Sequence, residues 1–358
     1  MEIGEKLREE RVRQDWSSGS FASASTLSVD RLREIEDGSF PTSHELDCIL
    51  FTLRKPLAWV NGNDLPLITS RYLQVGTKKP SSIEYVLDRI SSDIRYLLDA
   101  EIIQGTERPD FPKPTNHDEA ARLAGKVRRI ANLDDKEPVT DISALCAHFG
   151  LWEFGVHLDG GPTDTPGLMV ETTGKTAAGS IGVTVIDSSK LAFHQRFVLA
   201  HELCHWLIGD EFEGTSVRPD VFDIEKDGEE PLGVEEACSS FAAHLLLPDR
   251  AMAHYKSDKF KVGEIAAAVA LAKKYGMGWR STVDLLMSAG QISALDADRL
   301  RNNNNADAQV ILAQVEPAKN RVAADYLAQL NKAVEAGKIT QWEAEGFSYG
   351  ASPDHVNS

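Results

Sequence analysis

Apolar residues recur at helical spacing in short runs over the first fifty positions, so residues 3–55 read as several short helices. Ile3, Leu7 and Val12 fall on one side of a first segment, with Arg8, Arg11 and Arg13 as polar decoration. Ser17-Ser18-Gly19-Ser20 breaks that segment, and Phe21–Ser25 forms a second. Ser28 is placed to cap a third helix, which runs through Leu32 and Ile35 to a terminal Gly38. Ser43 is placed to cap a fourth, striped by Leu46, Ile49, Leu50 and Leu53.

Residues 56–80 read as an irregular connection rich in Pro, Gly and Asn. Helical spacing returns over 82–104, stops at Pro109, Pro112 and Pro114, and resumes over about 118–131. Thr140 is the expected cap of a helix through Ile142, Leu145 and Phe149. The period then changes. Leu151–Val156, Gly167–Glu171 and Ile181–Ile186 read as short strands. A strongly apolar helix follows over about 191–208, then a polar, acidic loop over 209–231, then a second apolar helix from about 234 to 247, stopped by Pro248. The remainder reads as mostly helical, with a polar break at Asn302–Asn305. The fold class is therefore mainly α with a small β-sheet: an N-terminal helical bundle, an α+β middle and a C-terminal helical region.

A chain of 358 residues is long for one compact domain. The expected divisions are 1–60, a helical linker 61–115, a central domain 116–255, and a C-terminal helical part 256–358. No run of eighteen apolar residues suggests a membrane span, and the N-terminus lacks an apolar signal core. Cys48, Cys146, Cys204 and Cys238 are far apart, which argues against a disulfide framework and fits a reducing, cytoplasmic setting. The formal net charge of −17 repels nucleic acid, so DNA contact would need a local basic surface.

The chemistry concentrates in His201-Glu202-Leu203-Cys204-His205. Helix residues four apart share a face, so both imidazoles can reach one metal ion. Glu202 then stands beside the ion's open side, where it can deprotonate a water. A hydrolytic zinc site needs a third protein ligand. The next apolar helix offers Glu235, with Glu236 as competitor, and Ser239 lies one turn on from Glu235 to hydrogen-bond a ligand. Arg196 is expected to fix the first helix by ion-pairing. Cys204, Cys238, His194 and His244 read as ordinary core or surface residues.

Phe197-Val198-Leu199-Ala200-His201-Glu202-Leu203-Cys204-His205, followed by Glu235 and Phe241-Ala242-Ala243-His244-Leu245-Leu246-Leu247-Pro248, resembles the ImmA/IrrE family of metallopeptidases. The resemblance covers about 120–290. Setting Phe241 on the family's phenylalanine puts Glu235, rather than Glu236, on the metal glutamate. Val198, Cys238 and Ser239 replace the family's Thr, Ala and Asn. The resemblance implies a zincin-like, gluzincin-type peptidase domain: His201, His205 and Glu235 on Zn2+, Glu202 as catalytic base, Ser239 and Arg196 in support.

Residues 3–55 resemble a degenerate phage-repressor-type helix-turn-helix, in Ile3-Gly4-Glu5-Lys6-Leu7-Arg8 and Leu32-Arg33-Glu34-Ile35-Glu36-Asp37-Gly38. Gly19–Thr26 departs from the usual second helix. Ser28, Arg31 and Arg33 are the candidates for contact with DNA. Residues 1–55 nevertheless hold 8 Lys/Arg against 11 Asp/Glu, a net −3, and a bundle used for protein contact or homodimerisation fits as well. Relatives typically cleave a helix-turn-helix repressor to switch on stress-response or mobile-element genes, so such a repressor is the implied substrate. The alternative is a DNA-binding regulator whose zinc site is structural or sensory.

Overall fold

The computed structural model describes residues 3–53, 55–61, 82–156, 168–173, 179–209, 232–312 and 321–351. These are mostly helical with a small sheet, the expected fold class. The expected connection 56–80 (from residue 62), and the loop 209–231 (from residue 210), lie outside the described residues. None of the described helices is long and apolar enough to cross a membrane. The chain divides into two compact units. Unit 1 comprises 1–107, 170–183 and 320–358, and unit 2 comprises 108–169 and 184–319.

Unit 1 begins with α1 (Ile3–Arg13), α2 (Ser18–Ala24), α3 (Val29–Glu36), α4 (Ser43–Leu53), α5 (Leu57–Val60) and α6 (Ser82–Asp99). Ser28 caps α3, its hydroxyl accepting from the Arg31 amide at 3.1 Å. Leu46, Ile49, Leu50 and Leu53 are all buried, as the stripe on α4 required. Three local expectations differ. Val12 is 58% exposed, because five helical residues carry it about 140° round from Leu7. Arg11, one turn from Leu7, takes the buried place instead and pairs with Glu36 at 2.6 Å. The cap of α4 is Thr42 rather than Ser43: the Thr42 hydroxyl accepts from the Glu45 amide, and the Glu45 carboxylate accepts from the Thr42 amide.

Unit 2 contains α7 (His117–Ile130), α8 (Ile142–His148), β1 (Leu151–Val156), α9 (Ala192–Ile208), α10 (Val234–Leu246), α11 (Asp249–Met252), α12 (Tyr255–Val262), α13 (Glu264–Tyr275), α14 (Trp279–Ser288), α15 (Ala294–Arg301) and α16 (Asn304–Leu312). The cap of α8 is Asp141, not Thr140, since its carboxylate reaches the Ala144 amide at 2.8 Å. The division between units passes through β2 (Leu168–Thr173) and β3 (Ser180–Asp187), and the longer strands run in the order β2-β3-β1. Every residue of β1 and β3 is buried. The two-residue strand β4 (Arg321–Val322), α17 (Ala324–Glu335) and α18 (Gln341–Phe347) complete unit 1.

The core of unit 2 forms round α9. This helix is apolar on nearly all sides and so is buried on nearly all sides, with every residue from Phe197 to Leu207 inside. Trp206 is fully buried and its indole nitrogen donates to the Phe149 carbonyl at 2.7 Å, which removes the cost of burying that N–H. Gly209 closes α9 in the left-handed conformation at φ 71°, a place glycine takes without strain. Arg128 of α7, also buried, donates to the Leu245 carbonyl at 2.7 Å and to those of Asp134 and Glu137, fixing the last turn of α10.

Unit 1 has a polar centre of its own. Asp93 of α6 is completely buried; it accepts from the Ala58 amide at 2.7 Å and from the Tyr349 hydroxyl at 2.5 Å. Burial lifts its carboxyl to about 6, against the opposing pull of Arg89, Tyr349 and the Ala58 and Leu57 amides. The native state therefore holds this proton to higher pH than the unfolded chain, whose aspartate titrates near ~3.9. The associated stability is complete below about pH 4 and is lost as pH rises through about 6. Asp93→Asn should remove that loss. The stability of the variant relative to wild type is expected to rise by up to about 3 kcal/mol between pH 4 and 6, read from thermal unfolding.

Candidate metal centre

His201 and His205 lie one turn apart on α9 and point the same way, with their Nε2 atoms 3.0 Å apart. Glu235, in the first turn of α10, brings Oε2 to 3.2 Å from the His201 Nε2 and 3.6 Å from that of His205. Among the described residues these three form the group of His, Cys, Asp or Glu able to hold a metal, with all donor atoms within 4.8 Å. Two ligands each about 2.1 Å from one ion at a tetrahedral angle sit about 3.4 Å apart. The three observed separations bracket that value, so the donor set fits a zinc-sized ion with a fourth position left over.

Protonation favours ligation as well. Burial pushes the His201 imidazole down to about 4, only partly opposed by Glu235, so near neutral pH the ring is uncharged. Burial would raise the Glu235 carboxyl, but hydrogen bonds from His201 and His205 outweigh it and hold it near about 2. A neutral imidazole and an ionised carboxylate are the ligating forms.

The helix register separates the two competing glutamates. Residues four apart align on α10, so Glu235 and Ser239 face α9, and the Ser239 hydroxyl lies 3.2 Å from Nδ1 of His201. Glu236 belongs to the next face with Ser240 and His244. There Ser240 meets Nδ1 of His117 at 3.0 Å, and the charge of Glu236 acts on that imidazole. His117 was not singled out from the sequence; it lies 123 residues from its partner, and no local pattern announces it.

Glu202 follows His201 and is 5% exposed. It is not one of the three converging donors. Cys204 and Cys238 lie buried against each other, and burial raises the Cys238 thiol well above its ordinary range, so it remains a neutral core residue. Arg196 donates to the backbone carbonyls of Val139 at 2.5 Å and Thr140 at 3.5 Å, anchoring the start of α9. His244 meets Asp249 at 3.1 Å, and His194 is half-buried in the first turn of α9.

Far along the chain, in unit 1, Ser28 is occupied as the cap of α3. Arg31 pairs with Glu45 at 2.8 Å and Glu34 at 3.0 Å, and those partners raise its pKa further. Arg33 approaches Asp30 at 3.5 Å.

Replacing Ser239 with alanine leaves all three donors but removes the hydroxyl that orients His201. Zinc affinity is expected to fall by about 10-fold or more while saturating zinc still fills one site. Competition against a chelating dye reads both quantities.

A His-Glu-x-x-His helix completed by a glutamate from the following helix is the ligand arrangement of metal-dependent hydrolases. Residues 163–282, about a third of the chain, match the model of a peptidase family described as the IrrE N-terminal-like domain. The match takes in α9 with His201, Glu202 and His205, and α10 with Glu235. It supports a peptidase related to the ImmA/IrrE family, which the sequence resemblance had implied over about 120–290. Neither a curated protein nor a solved structure gives a significant match.

Proposed function

We propose that the chain is a zinc-dependent metalloendopeptidase acting in gene regulation, with a helix-turn-helix repressor as substrate. The observation that carries this reading is the convergence of two imidazoles and one carboxylate beside the buried Glu202, which is not one of the three donors. His201, His205 and Glu235 would hold the ion. Bound zinc supplies a Lewis acid and lowers the pKa of water at that place. Glu202 accepts the proton of the attacking water and delivers it to the leaving amine. Ser239 fixes the ring of His201 from behind, and Arg196 steadies the helix that presents both histidines. The proton transfers need only one group because Glu202 returns to its charged state when the amine departs.

The choice of substrate rests on the resemblance to repressor-cleaving peptidases and on the N-terminal helices, which would recruit a similar bundle by like-with-like contact. The alternative, a DNA-binding regulator with a structural or sensory zinc, is less favoured. A structural site needs no base beside its ligands, and the guanidinium of Arg31 is already engaged by two glutamates. The test is to incubate the zinc-loaded chain with the helix-turn-helix repressor encoded nearest its gene. Cleavage at one or a few bonds, lost when residues 1–60 are deleted, is the expected result. Undiminished cleavage by the deleted chain would remove the recruiting role of that segment. An intact repressor together with tight duplex binding by the chain would favour the regulator.

A further inference from the structure

A cavity beside α7 takes no part in the metal centre. Its volume is about 470 Å³, inside the range of about 300–1,000 Å³ usual for small-molecule sites. Residues 111–114 form one wall, and α7 forms the other through Glu119, Arg122, Leu123 and Lys126. Phe111, Pro114 and Leu123 belong to its apolar part. Pro114 and Leu123 are buried, and Phe111 packs against the core of unit 2. The walls are held by bonds of the fold itself. The Phe111 amide donates to the Leu207 carbonyl of α9 at 2.9 Å, and the Leu232 amide donates to the Thr115 carbonyl at 2.9 Å. Asn116 caps α7, its side chain accepting from the Glu119 amide at 2.9 Å.

The charged members of the lining are Lys113, Arg122, Lys126 and Glu119, three bases to one acid. The acid is already engaged, because the amide and the hydroxyl of Thr115 both donate to its carboxylate at 2.8 Å. The bases are not neutralised. Among the described residues Lys113, Arg122 and Lys126 form no ion pair. Arg122 donates Nε–H to the Asp118 carbonyl at 3.1 Å, and the Lys126 ammonium lies 4.5 Å from the centre of the Phe111 ring. Arg122 and Lys126 stand four apart on one helix, where like charges repel. Asp110 and Asp118, the nearest other acids in sequence, are not part of the lining. A chain of net charge −17 thus keeps one concave place whose lining is net positive.

This combination selects its occupant. A cation is repelled, and a neutral apolar molecule leaves three bases without a partner. A nucleic acid or an anionic bilayer extends past the cavity and meets the acidic field of the whole chain. A small anion with an apolar body satisfies both parts of the lining, and carboxylate and phosphate groups both pair with guanidinium and ammonium. We infer that this cavity binds a small amphipathic anion, an apolar body carrying a carboxylate or phosphate, with the body on the apolar walls and the anionic group drawn to Lys113, Arg122 and Lys126. The site is independent of catalysis and stands whether or not the metal centre hydrolyses peptides.

The test is isothermal titration calorimetry of the full chain with naphthoate, naphthyl phosphate, neutral naphthalenemethanol and inorganic phosphate. A naphthyl anion should bind at one site, and the tighter of the two tells carboxylate from phosphate. The alcohol and inorganic phosphate should each bind about 10-fold more weakly or not at all. Arg122→Glu and Lys126→Glu, at exposed positions of α7, should each weaken the naphthyl anion by about 10-fold or more, with zinc content and circular dichroism unchanged. Absence of binding by both naphthyl anions, equal binding of the alcohol, or indifference to both substitutions would overturn the inference. Inorganic phosphate binding as tightly as naphthyl phosphate would overturn the apolar body. Binding that emerges only after residues 210–230 are deleted would overturn it in favour of an acidic segment of the chain itself.

Discussion

Glu202→Gln should bind zinc as the wild type does and lose about 10²- to 10⁴-fold in the rate of repressor cleavage. The substitution preserves shape in a place that is only 5% exposed, so packing is little disturbed. It leaves His201, His205 and Glu235 intact, and these are the donors that converge. What it removes is a group able to accept a proton. Zinc per chain, measured alongside kcat/KM, separates the roles. Loss of both would make Glu202 a support of the site. Retention of both would leave the reaction without its base and send the search to another group.

His205→Ala should abolish tight zinc binding and, with it, activity. Two donors, His201 and Glu235, are left where a hydrolytic site requires three. The effect reaches beyond affinity. Glu235 is held ionised near about 2 by both imidazoles, against the opposing effect of burial, and the variant deprives it of one of them. Bound metal also stabilises whatever fold it selects, by about 4 kcal/mol when free metal stands at about a thousand times its Kd. Treating the wild type with a chelator should therefore lower Tm substantially, whereas the same treatment should leave His205→Ala unmoved. A chelator shift of wild-type size in that variant would place the metal elsewhere.

The parts of this site that could be read from the sequence are those fixed by one helix. The spacing of His201 and His205 states their common face, and the apolar residues between and around them state that the helix is buried. Glu235 was legible only with help, because Glu235 and Glu236 both begin an apolar helix. Their difference is a rotation of about 100°, which turns one towards His201 and the other towards His117. Neighbouring capping residues gave the same one-residue ambiguity at Thr42 and Ser43, and at Thr140 and Asp141, where either member of each pair has an oxygen to offer.

Other features were hidden for a different reason. Arg11 lies inside because Glu36, 25 residues away, neutralises it, so an apolar pattern along α1 alone assigns the buried place wrongly. Asp93 meets Tyr349 across 256 residues, and the return of α17 and α18 to unit 1 has no local signature. Pairings of that range are written in three dimensions only. The division of labour is consistent: periodicity reports which face is buried, while long-range polar contacts decide what it is buried against.

X-ray absorption at the zinc edge of the purified, full-length chain tests the metal centre most directly. One zinc per chain is expected, with nitrogen and oxygen neighbours at about 2.0–2.1 Å and the scattering signature of two imidazoles. A sulfur neighbour at about 2.3 Å would bring Cys204 or Cys238 into the ligand set and contradict the His201–His205–Glu235 centre, as would a chain that holds no zinc at all.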